Sequence, residues 1–164
     1  MRCKCLKDHF NKYEKFGPLK GLEFQKDLEK IAFFAGGRSQ AAPAQKLVDF
    51  VDGKISSDLN ETSYQPGLNS APLHSLLPKI IGSRLRKGFV DFGRKMHGYY
   101  TNEANIIGVE SRTSSPVNIP RKDTLEHPEI EGLFPCGEGG GYAGGIISAA
   151  MDGERCAEAA IAKL

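Results

Sequence analysis

The sequence predicts an α+β chain: a mostly helical part over residues 1–100, then a segment over 101–164 with a few strands and a C-terminal helix. Three observations carry this. Up to about residue 100, apolar residues recur at helical spacing between Pro and Gly punctuation. From about residue 101, "ANIIGVESRTSSPVNI" has β-branched clusters without a helical stripe. Finally, six of the ten residues in "CGEGGGYAGG", Cys136 to Gly145, are glycine, and a helical pattern follows them.

The elements follow in order. In "GPLKGLEFQKDLEKIAFFAGG", Gly17-Pro18 marks a helix start and Gly36-Gly37 its stop. Phe24, Leu28, Ile31, Ala32 and Ala35 share one face of that helix, with charged residues largely opposite. Pro43 suits the first turn of a second, shorter helix with Leu47, Val48 and Val51 as its apolar side, ended by Asp52-Gly53. "SSDLNETSYQPGLNSAP" is polar and turn-rich, a long surface connection. The stretch from Leu73 to Tyr100 predicts helix in two pieces, opened by Pro78 and broken at Gly88. Its Arg84, Arg86, Lys87, Arg94 and Lys95 suit a solvated face, an anion site being the alternative. Strands are expected over 106–110 and, in edge or loop geometry between Pro116 and Pro120, over 117–119. "LFPC" predicts a very short strand. Over 144–164, Ile147, Ala150, Ala157, Ile161 and Leu164 form a stripe. Gly145, Ala149, Gly153 and Cys156 keep that helix thin, which predicts close packing at Gly153.

Bulk properties exclude several classes. With 164 residues, 40% of them hydrophobic, the chain can build a core. A net charge of +2 is too balanced for a nucleic-acid or anionic-membrane partner. No apolar run approaches a membrane span, and "MRCKCLKDHF" lacks the apolar core of a secretory signal. Four cysteines do not look like a disulfide framework, so reduced thiols in a cytoplasmic protein are expected. Cys3, Cys5 and His9 could ligate a metal, but their spacing fits no common zinc pattern, and no metal is expected. A short strand is the plainer reading of Cys3-Lys4-Cys5-Leu6.

The glycine stretch carries the chemistry. Gly139-x-Gly141-x-x-Gly144 has the spacing of a dinucleotide fingerprint, which alone is weak. Successive glycines let backbone N–H groups face a ligand without intervening Cβ atoms. A helix start just beyond offers free donors and partial positive charge to an anionic group. The usual unit also needs a second parallel strand with an acid about 20 residues on. The sequence stops at Leu164, so the main ligand site is expected elsewhere. Glu138 would repel phosphate but can accept hydrogen bonds from sugar or ribityl hydroxyls. A flexible linker before the last helix is the alternative.

The stretches "RTSSPVNIPR", "LEHPEIEGLFPCGEGGGYAGGIISAAMDGERCAEA" and "GLEFQKDLEKIAF", with "AGG" and "APAQ", together resemble the uncharacterised FAD-dependent dehydrogenases. The resemblance implies a glutathione-reductase-like FAD domain assembled from N- and C-terminal segments, with an inserted domain between them. This chain looks like the C-terminal third: residues 1–100 the inserted, substrate-side part, and 101–164 the last segment of the FAD domain. It would contact FAD in the complete oxidoreductase, with NAD(P)H as a co-substrate, and be inactive alone. Its implied partner is the missing N-terminal portion or a companion chain, and its uncovered surfaces would favour self-association. By resemblance, Glu138 lies against the ribityl chain or the pyrophosphate region. Gly139, Gly140, Gly141, Tyr142, Ala143, Gly144, Gly145 and Ile146, preceded by Gly137, lie along the pyrophosphate and the pyrimidine edge of the isoalloxazine. Arg112, Thr113, Ser114 and Ser115 lie near the flavin face, or else form a hydroxyl-capped turn. No general acid or base is identifiable. A small non-enzymatic α+β module that binds a nucleotide or a partner is the competing function.

Overall fold

The computed structural model describes residues 7–111 and 114–163, with side chains from Phe10 onward. The described residues form two compact units, one of residues 26–111 and the other of 7–25 with 114–163. The observed architecture is α+β.

In the first unit the organising strand is β1, Ala42–Lys46. This corrects the helix expected to start at Pro43. Strand β1 pairs in parallel with β2, Leu68–Ser70, and antiparallel with β3, Asn105–Ile107, so the sheet order is β2-β1-β3. A proline in a central strand normally breaks a ladder. Here the antiparallel ladder covers only Ala44 to Lys46, and Pro43 lies just past its end. Its carbonyl alone is used, accepting from Gly108 N at 3.0 Å. Helix α2, Leu47–Asp52, follows at once and stops at Gly53, whose left-handed backbone (φ 73°) caps it.

Before β1, helix α1, Lys20–Ala35, ends where the sequence predicts. Gly36 is required there, because a Cβ would lie 2.2 Å from the Ala41 carbonyl oxygen. Asn69 Nδ2 donates to the freed Gly36 carbonyl at 2.6 Å, tying the helix end to β2. The long polar connection thus contains a strand. Its backbone demands are met largely by side chains: Asn60 and Asn105 bond reciprocally, and buried Ser56 accepts from Lys46 N and donates to Asp49.

The core of this unit is Ala44, Leu47, Phe50, Ala71 and Leu73. Phe50 meets Phe89 edge-on at 5.9 Å. Phe89 belongs to α4, Lys79–Lys95, which follows the short α3, Leu73–Leu76. Helix α4 runs unbroken through Gly88, contrary to expectation, because Gly82 and Gly88 are its buried residues and turn its thin side inward. Nor is its basic run wholly solvated: Arg86 is half-buried, with its guanidinium 5.9 Å from the Phe50 ring. Strand β3 occupies only the start of the expected 106–110 strand.

In the second unit a run of 3₁₀ turns, Lys7–Leu19, is kinked at Gly17. Buried Tyr13 and half-buried Phe10 both pack edge-on against Phe24. Helix α5, Ile146–Ile161, closes the chain. Among the described residues neither 117–119 nor 133–136 is a strand. Pro116, Pro120 and Pro135 remove donors from both, and 117–119 find side-chain and glycine-loop partners instead of a ladder. The apolar stripe of α5 also faces the other way from a core stripe. Ile147 is 73% and Ile161 70% exposed, whereas Asp152 and Cys156 are the buried residues. Nothing lies within 4 Å of where a Gly153 Cβ would sit, so the expected close packing there is absent among the described residues. Among them, no helix is long and apolar enough to cross a membrane.

Candidate functional site

The glycine loop lies wholly within the second unit. It leaves Pro135, turns through Gly137 to Gly141 and enters α5 at Gly145. Two kinds of glycine can be separated. Gly140 and Gly141 serve the chain itself. A Cβ on Gly140 would lie 3.0 Å from the Cys136 carbonyl, and one on Gly141 2.7 Å from that of Val117. Gly141 also has φ +86°, strained for any other residue. Gly139 and Gly144, by contrast, have ordinary φ and nothing among the described residues within 4 Å of a Cβ. Neither the backbone nor a neighbour explains why these two lack a side chain.

Donors divide in the same way. The amides of Gly140, Gly141 and Tyr142 bond to the Cys136, Glu138 and Gly137 carbonyls, which winds the loop on itself. Those of Glu138, Gly139 and of 143–147 meet no acceptor among the described residues. Helix α5 begins with no side-chain cap among the described residues and no acid in its first turn. Open amides, partial positive charge and missing Cβ atoms converge at one exposed edge, a donor set suited to an anionic or carbonyl-rich ligand. The Glu138 carboxylate is exposed and has no partner among the described residues.

The loop is held by residues that the sequence pattern did not single out. Arg121 and Asp152 form a bidentate pair at 3.0 and 2.8 Å, with side chains only 10% and 8% exposed. Asp152 Oδ2 also accepts from Gly137 N at 2.9 Å, so a carboxylate on α5 grips the first glycine of the loop. Arg121 donates to the Pro135 carbonyl at 2.9 Å and lies over the Tyr142 ring at 3.6 Å. Desolvation of this pair is offset because both charges are multiply bonded. The Arg121 hydrogen bonds and the Gly137 amide pull the Asp152 carboxyl down to about 2. Tyr142 spends its hydroxyl on the Ile119 carbonyl at 2.6 Å, which makes it an anchor of the loop. The signal for Asp152 was its isolation, an acid among the small residues of "SAAMDG". Nothing local distinguished Arg121 from an ordinary surface charge.

Of the residues near the expected flavin face, Arg112 and Thr113 lie outside the described residues. Ser114 is exposed. Its neighbour Ser115 is the hydroxyl that reaches the loop, donating to the Val117 carbonyl at 2.7 Å and the Gly139 carbonyl at 3.3 Å. Cys3, Cys5 and the side chain of His9 also lie outside the described residues. Among the described ones, no group of three metal-ligating side chains comes together.

Residues 5–113 match the family model described as "FAD-dependent protein, C-terminal domain-like". The chain belongs to this FAD-dependent family. The match covers the first unit and stops before the glycine loop. An uncharacterised protein of Clostridium beijerinckii is 43% identical over 148 residues, which is 89% of this chain and 28% of that protein. The chain therefore spans little more than a quarter of the length of that relative.

Proposed function

We propose that this chain is the C-terminal part of an FAD-dependent oxidoreductase, a dehydrogenase of glutathione-reductase-like architecture, and supplies the loop that lies along the flavin. The observation that carries the proposal is the unpartnered amides of Gly139 and 143–147, at an edge where Gly139 and Gly144 leave room for another molecule. Family membership supplies the cofactor class. The residues present fit the pyrophosphate and the pyrimidine carbonyls of FAD as hydrogen-bond acceptors, with Glu138 placed to accept from ribityl hydroxyls. When bound, the flavin supplies the electron-transfer chemistry, with NAD(P)H as the co-substrate. The chain's own residues position it: Asp152 and Arg121 fix the loop, and the open helix start favours negative charge at the flavin edge.

In this reading residues 1–100 belong to the substrate-side domain and 101–164 to the FAD domain of a cytoplasmic protein. The remaining flavin contacts come from a longer polypeptide or a companion chain. Its covering surface would explain the exposure of Ile146 (89%), Ile147 (73%) and Met151 (59%) beside the loop.

The test is flavin retention by this chain assembled with the rest of the longer protein. Gly139→Val and Gly144→Val should fold normally and lose bound FAD, read from visible absorbance after gel filtration. Full flavin occupancy in both valine variants would overturn the proposal.

A further inference from the structure

The loop carries a second reactive feature independent of flavin. Cys136, at its start, is exposed, and Cys156, on the buried side of α5, is 3% exposed; both are free thiols. Cys156 Sγ lies 3.9 Å from the Pro135 carbonyl, on the peptide immediately before Cys136. The buried sulfur therefore lies against the backbone that leads into Cys136. Arg121 Nη1 stands 3.3 Å from Cys156 Sγ, a fixed positive charge beside the sulfur.

We propose that Cys136 and Cys156 form a thiol–disulfide exchange pair that takes small disulfides, with exposed Cys136 as the entry thiol and Cys156 as the resolving thiol. The asymmetry of access sets the order. Burial pushes the Cys156 thiol up and shields it from solvent, so a small disulfide reaches Cys136 first. The Cys136 thiolate attacks one sulfur of the disulfide RSSR. That S–S bond breaks, and RS⁻ leaves and takes up the proton. Cys156 then gives up its proton, with Arg121 stabilising the thiolate, and attacks the Cys136 sulfur, expelling the second RS⁻ as RSH. Two protein thiols lose two electrons and two protons, and one RSSR becomes two RSH. The product adds a covalent tie from the loop start to α5, beside the Arg121–Asp152 pair.

The probe is oxidised glutathione, applied to the chain carrying Cys3→Ser and Cys5→Ser so that only this pair remains. Trypsin cuts after Lys122, Arg155 and Lys163, which places the two thiols on separate peptides. After oxidation and alkylation, mass spectrometry should find those peptides disulfide-linked, and Tm should rise by roughly 5–10 °C. Cys156→Ser should instead hold glutathione stably on Cys136. The proposal fails if both thiols are alkylated separately at every glutathione ratio. It also fails if Cys136 retains glutathione to the same extent whether or not Cys156 is present.

Discussion

Replacing Asp152 by Asn tests how the glycine loop is held. Asparagine keeps an acceptor for Gly137 N but removes the charge that faces Arg121. The Asp152 carboxyl sits at about 2 against a reference of 3.8, so its ionised form is favoured in the folded chain by about 2 kcal/mol. The substitution also leaves a guanidinium, 10% exposed, without its counter-charge. Breaking such a pair from one side typically costs about 3–5 kcal/mol. We therefore expect a loss of about 2–4 kcal/mol in urea unfolding near pH 7. Because the folded pKa is depressed, this contribution is present above about pH 4 and lost as pH falls through about 2. The difference between native chain and variant should shrink over that window. Exchange at the Gly137 amide should accelerate in the variant, since this donor loses a charged acceptor. A loss under 0.5 kcal/mol near neutral pH, or a difference unchanged down to about pH 2, would refute the reasoning.

Other expectations follow from the same contacts. Gly141→Ala should cost about 2 kcal/mol or more in unfolding measurements, since its positive φ and the Val117 carbonyl both oppose a Cβ. Gly144→Ala should be within about 0.5 kcal/mol of the native chain, because the space there is open. Gln45→Ala should destabilise by about 2 kcal/mol: this side chain is fully buried, donates to the Lys54 carbonyl and accepts from His74 N at 3.1 Å. Restoring most of that stability with Gln45→Leu would show that the hydrogen bonds contribute little. Purified alone, the chain should be colourless. Flavin colour should appear when the rest of the longer protein is supplied, and tight FAD uptake by the chain alone would contradict the division of contacts proposed above.

Local signals were legible wherever a residue's own backbone preference decides the outcome. Gly36-Gly37 stops α1, Asp52-Gly53 stops α2, and the glycine loop leads into a C-terminal helix because φ freedom and missing Cβ atoms act within a few residues. Tertiary contacts decided the rest. Pro43 could open a helix or end a ladder, and only Leu68–Ser70 and Asn105–Ile107, distant in sequence, make Ala42–Lys46 a strand. The α5 stripe looked like a core face by periodicity. The face the second unit buries carries Asp152 and Cys156, because Arg121, thirty-one residues away, gives the carboxylate a partner that outweighs its desolvation. Hydrophobic spacing records which residues share a face, whereas a buried ion pair depends on two distant segments meeting, and one-dimensional patterning carries no trace of that meeting.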